Sequence, residues 1–127
     1  MSKGKVLLVD DRPDFLDILG ERIAARGYEV GRASSGGEAL AAVSGQGFDA
    51  VVLDVVMPEM DGIETLKRLR ELDPGLAVIL LTGYGTSEEV IQALALGAQD
   101  FLVKPADLDS LLERVDEAIA RKAAARS

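Results

Sequence analysis

Residues 48 to 62 read FDAVVLDVVMPEMDG, an apolar run that passes directly into a carboxylate at Asp54. Residues 50–53 are all aliphatic, and so short a run between polar residues is typical of a strand buried on both faces of a parallel sheet. An ionised carboxylate inside such a strand would be very costly to bury. Asp54 is therefore predicted at the carboxyl end of the strand, on the rim where open α/β sheets bind ligands.

Four other short runs have the composition of strands. Residues 6–9, 78–81 and 101–103 are apolar, whereas residues 28–33 are more polar and suit an edge strand. Each apolar run ends in a polar residue, as the strand before Asp54 does. The sequence therefore predicts several strand ends with polar side chains.

Segments with helical periodicity separate these runs. The first begins at Pro13, continues to Arg26 and has Gly27 for its C-terminal cap. Its predicted apolar face consists of Phe15, Ile18, Leu19 and Ile23. Later helices are predicted from the capping box at 35–38 through Val43, from Gly62 to near Pro74, from the capping box at 86–89 to Leu96, and after Asp107 through Ile119. Residues 55–61, which include Pro58, are predicted to form a loop.

Start signals precede three of the later segments. Ser35 and Glu38 have the spacing of a capping box, the run 86–89 repeats that spacing, and Asp107 is placed to cap the last helix. Strands and helices thus alternate strictly. Since crossovers between parallel strands are nearly always right-handed, this pattern predicts a doubly wound five-stranded parallel sheet with helices on both faces.

Length and composition narrow the range of functions. The chain has 127 residues and is expected to form one domain with a core at about 5–120, followed at 121–127 by a fraying helical tail or the start of a linker. It contains no Cys and no His, which excludes thiolate and histidine metal sites. The formal net charge of −8 and the scattered Lys and Arg argue against nucleic acid as a direct partner.

Membrane association is not expected either. No apolar run approaches the length that spans a bilayer, and the N-terminal residues reach acids too soon for a signal peptide. The expected location is cytoplasmic.

Polar side chains at the predicted strand ends would share one rim. They are Asp10, Asp11, Asp54, Thr82 and Lys104. Taken singly, each has an ordinary interpretation as a helix cap, a turn hydroxyl or a solvated lysine. Their predicted proximity favours a common site instead.

These residues, together with Met57-Pro58, Asp61-Gly62 and Lys104-Pro105, carry a family resemblance. In this order and spacing they resemble the receiver domain of bacterial two-component response regulators, over residues 5 to about 120. The resemblance implies a flavodoxin-like sheet of order 2-1-3-4-5. It also implies that Asp54 accepts a phosphoryl group from a histidine kinase or a histidine phosphotransfer protein. The chain would then be a phosphoacceptor that assists its own phosphorylation and dephosphorylation, and not a conventional enzyme.

The same resemblance implies roles for the remaining rim residues. Asp11, Asp54 and the backbone carbonyl of Val56 would bind Mg²⁺ directly, with Mn²⁺ as a substitute, and Asp10 would act through water. An acidic cluster whose ligands are all oxygen suits such a hard cation. Lys104 and Thr82 would contact the phosphoryl oxygens, and Phe101 would turn inward with Thr82 as a switch.

Other features of the resemblance concern the partners of the domain and the lifetime of the phosphorylated aspartate. Ala106 stands where an aromatic residue is common, which weakens the case for the family's dimer face, so either a phosphorylation-dependent homodimer or an output domain is left open. The Lys104-Pro105 bond would be cis. Val56 and Tyr84 would flank the path of the hydrolytic water and predict slow dephosphorylation.

Three other functions are weighed against this one. A flavin carrier would need a hydroxyl- or glycine-rich loop after the first strand, where this chain has Asp10-Asp11. An aspartyl-nucleophile phosphatase would need two acids spaced two apart after that strand, which are missing. A flavodoxin-like interaction domain that is never phosphorylated is the third alternative.

Overall fold

The computed structural model describes residues 2–54, 56–57, 60–83, 88–104 and 107–125. The strands are β1 (Lys5–Val9), β2 (Glu29–Ala33), β3 (Ala50–Leu53), β4 (Val56–Met57), β5 (Met60–Asp61), β6 (Ala77–Thr82) and β7 (Asp100–Val103). The helices are α1 (Pro13–Ala25), α2 (Gly36–Gly45), α3 (Gly62–Leu72), α4 (Glu88–Ala95) and α5 (Leu108–Ala125).

Five of the strands form one parallel sheet in the order β2-β1-β3-β6-β7. Numbered among themselves in chain order, these strands follow the order 2-1-3-4-5, which confirms the predicted fold class. The register pairs Val9 with Leu53, the last residues of β1 and β3. The residues that follow, Asp10 and Asp54, therefore leave the sheet side by side.

Alternate residues of each buried strand face opposite sides of the sheet. Val6 and Leu8 of β1 pack in a core with Leu16 of α1 and with α5. Leu7 and Val9 pack in the second core, which includes residues of α2, α3 and α4. Helices thus cover both faces, and only the rims of the central strands are left for polar side chains.

The predicted helix boundaries mostly agree with the structure. Gly27 follows α1 with φ +101°, a conformation that favours glycine, and the Ser35 Oγ accepts a hydrogen bond from the Glu38 N–H. Asp107 caps α5 by accepting from the Ser110 N–H at 3.1 Å. Most of the predicted capping segment at 86–89 lies outside the described residues.

The capping box of α2 differs from the prediction in one contact. The Glu38 carboxylate accepts hydrogen bonds from the N–H and the hydroxyl of Ser34 instead of returning to Ser35. These hydrogen bonds stabilise the ionised form and lower the pKa of Glu38. The Glu38 side chain therefore bonds to Ser34, one residue before the position that the capping-box motif predicts.

The predicted apolar face of α1 is wrong at Ile18, which is 54% exposed. The fully buried residues of the helix are Leu16, Gly20 and Ile23, and the predicted Phe15 and Leu19 are partly buried against the same core. The guanidinium of Arg32 lies against Gly20, 2.4 Å from the place that a Cβ would take, so a larger residue there would require the Arg32 side chain to move. Apolar residues lie on more than one side of this helix, so periodicity alone did not identify its buried face. Gly20 has no apolar side chain that would mark it as buried.

The predicted loop at 55–61 also contains regular structure. β4 and β5 form a two-residue antiparallel ladder in which Val56 pairs with Asp61 and Met57 with Met60. Runs of two residues are too short for periodicity to reveal. Pro58 lies outside the described residues.

Candidate functional site

Two buried carboxylates stand side by side on the rim. Asp10 is 3% exposed and Asp54 is 7% exposed. Their backbones extend the sheet, since the Asp10 N–H donates to the Ala33 carbonyl at 3.2 Å and the Asp54 N–H donates to the Val9 carbonyl at 3.1 Å. The sheet therefore fixes where both side chains start.

Lys104 supplies the positive charge between them. It follows β7, the edge strand beyond β6, and its side chain reaches back across the rim. Its Nζ lies 2.6 Å from Asp10 Oδ2 and 3.1 Å from Asp54 Oδ2, with only 13% of the side chain exposed. Three residues far apart in sequence thus form one charge cluster, as their predicted strand-end positions indicated.

Two residues that the sequence did not suggest complete this cluster. The Phe15 ring lies below the Lys104 ammonium, with 4.4 Å between Nζ and the ring centroid, and the Arg12 guanidinium carbon lies 4.8 Å from the same centroid. Arg12 also places its Nε 3.5 Å from Asp10 Oδ1. A usable signal did exist, because the first turn of α1 begins directly after the acidic pair and must therefore lie on the rim.

The other predicted site residues are located by their backbones. Asp11 is half-buried directly after Asp10, Val56 begins β4 two residues after Asp54, and Thr82 is the last residue of β6, paired with Val103. The structure describes the backbones of Val56 and Thr82 but not their side chains. Tyr84, Pro105 and Ala106 lie outside the described residues.

Phe101 lies in β7 opposite Leu80. It is half-buried and packs against the core cluster that contains Leu80. It therefore contributes to the core, and it lies on the strand that carries Lys104.

The cluster suits chemistry with anions and hard cations. Asp10, Asp11 and Asp54 carry three negative charges when ionised, and the cations Lys104 and Arg12 compensate two, so one remains. Oxygen ligands with that excess charge match Mg²⁺, which keeps several waters and needs few carboxylates. Among the residues that the structure describes, no group of three or more acidic side chains is arranged to hold a metal ion.

The family described as the response regulator receiver domain matches residues 6–116. The chain belongs to this family. Two regulators similar to it are the transcriptional regulatory protein ZraR of Salmonella typhimurium LT2, 42% identical over 122 residues, and GlrR of Escherichia coli K12, 38% identical over 120 residues.

These alignments cover 94% of this receiver domain but only 28% of ZraR and 27% of GlrR. The chain thus spans about a quarter of the length of these regulators.

Solved structures agree on the fold. A CheY-like response regulator receiver domain protein from Methanospirillum hungatei JF-1 superimposes with a TM-score of 0.89 at 33% identity, covering 95% of this chain and 97% of that one. NtrX from Brucella abortus, in a complex with ADP, gives 0.91 at 29% identity, covering 99% of this chain and 29% of NtrX. The receiver domain therefore resembles both a receiver of similar length and one part of a longer regulator.

No helix in the described part of this receiver domain is long and apolar enough to cross a membrane.

Proposed function

We propose that this receiver domain accepts a phosphoryl group on Asp54 from the phosphohistidine of a histidine kinase or a histidine phosphotransfer protein. The observation that carries the proposal is the rim cluster, in which the buried Asp54 carboxylate lies 3.1 Å from the Lys104 ammonium. A carboxylate at the carboxyl end of a central parallel strand lies on the rim where open α/β sheets bind ligands. Membership of the receiver family supports the same assignment.

The transfer requires a nucleophile and compensation of charge. A carboxylate oxygen of Asp54 forms a bond to phosphorus while the bond from phosphorus to the histidine nitrogen breaks, and the bonding electron pair leaves with the imidazole. Lys104 would exchange its hydrogen bond to Asp54 for one to a phosphoryl oxygen. Thr82, at the end of β6, would donate its hydroxyl to another.

A magnesium ion fits the oxygen ligands of this rim. Asp11, Asp54 and the Val56 carbonyl would hold it, and Asp10 would act through a water molecule. When bound, the ion neutralises negative charge on the phosphoryl oxygens. Asp10 would meanwhile keep Lys104 on the rim, because its Oδ2 lies 2.6 Å from the ammonium in a site that excludes most solvent.

Signalling would follow from rearrangement beside the new phosphoryl group. Thr82 would move toward it, and Phe101, half-buried on the neighbouring strand, would turn further into the space vacated. The surface of α4 and β7 would change shape as a result. The partner that recognises this surface would be either a second copy of the domain or an output domain, since the relatives ZraR and GlrR are named as transcriptional regulatory proteins.

Intact-mass measurement tests the assignment of Asp54. The domain is incubated with Mg²⁺ and a small phosphodonor, alongside Asp54→Asn and a control, Asp17→Asn, whose carboxylate is 72% exposed on α1. We expect wild type and the control to gain one phosphoryl mass and Asp54→Asn to gain none. A wild type that gains no mass overturns the function, and an Asp54→Asn variant that gains as much as wild type overturns the site.

A further inference from the structure

The contact between Phe15 and Lys104 is the feature of the rim that the proposed function leaves without a role. The ammonium lies 4.4 Å from the ring centroid while it also contacts Asp10 and Asp54. An ammonium group has three N–H donors, and the two carboxylates can take two of them. The negative face of the ring is therefore the third neighbour that limits where Nζ can lie.

A lysine in this position needs such support. Lys104 stands at the end of an edge strand and must reach across the rim with a flexible side chain that carries much rotamer entropy. Carboxylates attract the ammonium but do not fix its direction, because Lys acts as a point charge. A rigid ring that excludes water from one side restricts both the position and the hydration of the charge.

Phe15 is more than a core residue. It is only half-buried, it belongs to the rim turn of α1, and its ring contacts two cations, Lys104 and Arg12. A groove of about 300 Å³ runs beside it, lined by residues that include Arg12, Leu81 and Leu111. A residue that served packing alone would not need to present its face to a buried charge.

We propose that Phe15 is a positioning residue for phosphoryl transfer, and that its ring holds the Lys104 ammonium where the phosphoryl oxygens of a substrate arrive. The proposal rests on the proposed function of Asp54. When Lys104 exchanges Asp54 for a phosphoryl oxygen, the ring keeps the ammonium on the rim. Loss of the aromatic face then slows transfer even when every charged group is present.

Three variants separate the aromatic face from apolar bulk. Phe15→Leu keeps an apolar side chain but lacks the ring, whereas Phe15→Tyr keeps the ring and has the adjacent groove for its hydroxyl. Arg12→Gln removes the other cation on the ring together with its contact to Asp10, and tests whether Lys104 stays over the ring without them.

The first measurement is the NMR shift of the Lys104 ε-methylene protons, assigned by their disappearance in Lys104→Arg. Assignment is needed because Lys3 and Lys5 also lie over rings, those of Tyr28 and Phe48. We expect ring current to move the Lys104 protons upfield of those of the exposed Lys67. The displacement should disappear in Phe15→Leu and persist in Phe15→Tyr and Arg12→Gln.

The second measurement is the rate of phosphorylation by a small phosphodonor at saturating Mg²⁺. From the usual strength of a partly desolvated cation–π contact, we expect Phe15→Leu to be slower by about 3- to 10-fold. Phe15→Tyr should restore the wild-type rate, which an effect of general destabilisation would not do. Thermal unfolding of all variants shows that each is folded at the assay temperature.

The outcomes separate this proposal from the function on which it rests. Wild-type shifts of Lys104 in Phe15→Leu, a wild-type rate in that variant, or failure of Phe15→Tyr to restore the rate would overturn the role of the ring. A wild type that takes up no phosphoryl group overturns the proposed function instead. The Lys104 shifts then still decide whether Phe15 holds the ammonium.

Discussion

Lys104 determines the electrostatic balance of the rim at the scale of single residues. Asp10 and Asp54 are both nearly inaccessible to solvent, and the ammonium is within hydrogen-bond distance of each. Its removal would leave two buried carboxylates adjacent and without that compensating charge. Breaking a buried ion pair by removing one partner is far more costly than losing an exposed one.

The substitution Lys104→Met should therefore destabilise the fold. In the absence of divalent cations we expect the free energy of unfolding to fall by about 3 kcal/mol, because Asp10 and Asp54 lose the ammonium that lies between them while the apolar stem is retained. Urea denaturation measures this change. The exposed Lys67 provides the control, and Lys67→Met should change stability by no more than about 0.5 kcal/mol. Equal losses in the two variants would contradict this account.

The sequence could predict part of this residue-scale arrangement. The residues Asp10, Asp54 and Lys104 each follow an apolar run, and parallel strands bring such positions together. The contact of Lys104 with Phe15 could not be predicted, because it depends on which way a half-buried ring on α1 turns. The same limit applies to Ile18, which periodicity groups with Phe15 and Leu19 although it is exposed and those two pack against the core.

Secondary-structure elements are linked at the opposite end of the sheet by Tyr28. This residue directly precedes β2, and its hydroxyl donates a hydrogen bond to the Asp116 carboxylate on α5. The Lys3 ammonium lies 5.8 Å from its ring centroid. Arg26, which follows α1, pairs with Asp109 of α5 at 2.8 Å. These contacts join the end of α1, the start of β2 and α5.

Burial, and secondarily the hydrogen bond to Asp116, raises the pKa of Tyr28 to about 12 from its ordinary 10.0. Because the folded state holds the proton more tightly than the unfolded state, this stabilisation is complete below about pH 10 and is lost as pH rises toward about 12. We expect the free energy of unfolding to fall more steeply over that interval in wild type than in Tyr28→Phe. Urea titrations at several pH values measure the difference.

A spectroscopic titration checks the pKa of Tyr28 directly. The chain has 2 tyrosines, so Tyr84→Phe leaves Tyr28 as the only phenol. Its ultraviolet phenolate band should appear with a midpoint near 12. A midpoint near 10.0 would show that neither burial nor Asp116 perturbs this group in solution.

The molecule as a whole combines an apolar sheet with a strongly acidic surface. Strand order and both helix layers could be predicted from the alternation of elements, since right-handed crossovers leave few other topologies. The ladder of β4 and β5 could not, because each strand has only two residues. The formal net charge of −8 adds self-repulsion to the local excess of carboxylates at the rim.

This charge requires that any stabilisation by Mg²⁺ be separated from general screening. If the ion binds at the rim with a Kd of about 1 mM, then ~10 mM Mg²⁺ should stabilise the folded state by about 1.4 kcal/mol, because the ion binds the folded state and not the unfolded chain. NaCl at matched ionic strength screens the net charge but lacks a site, so it should raise the thermal midpoint less. Asp11→Ala should abolish the excess due to Mg²⁺, whereas Glu71→Ala, which removes one exposed charge from α3, should retain it. Equal midpoints in the two salts, or an undiminished Mg²⁺ effect in Asp11→Ala, would show that the ion acts on the net charge and not on the rim.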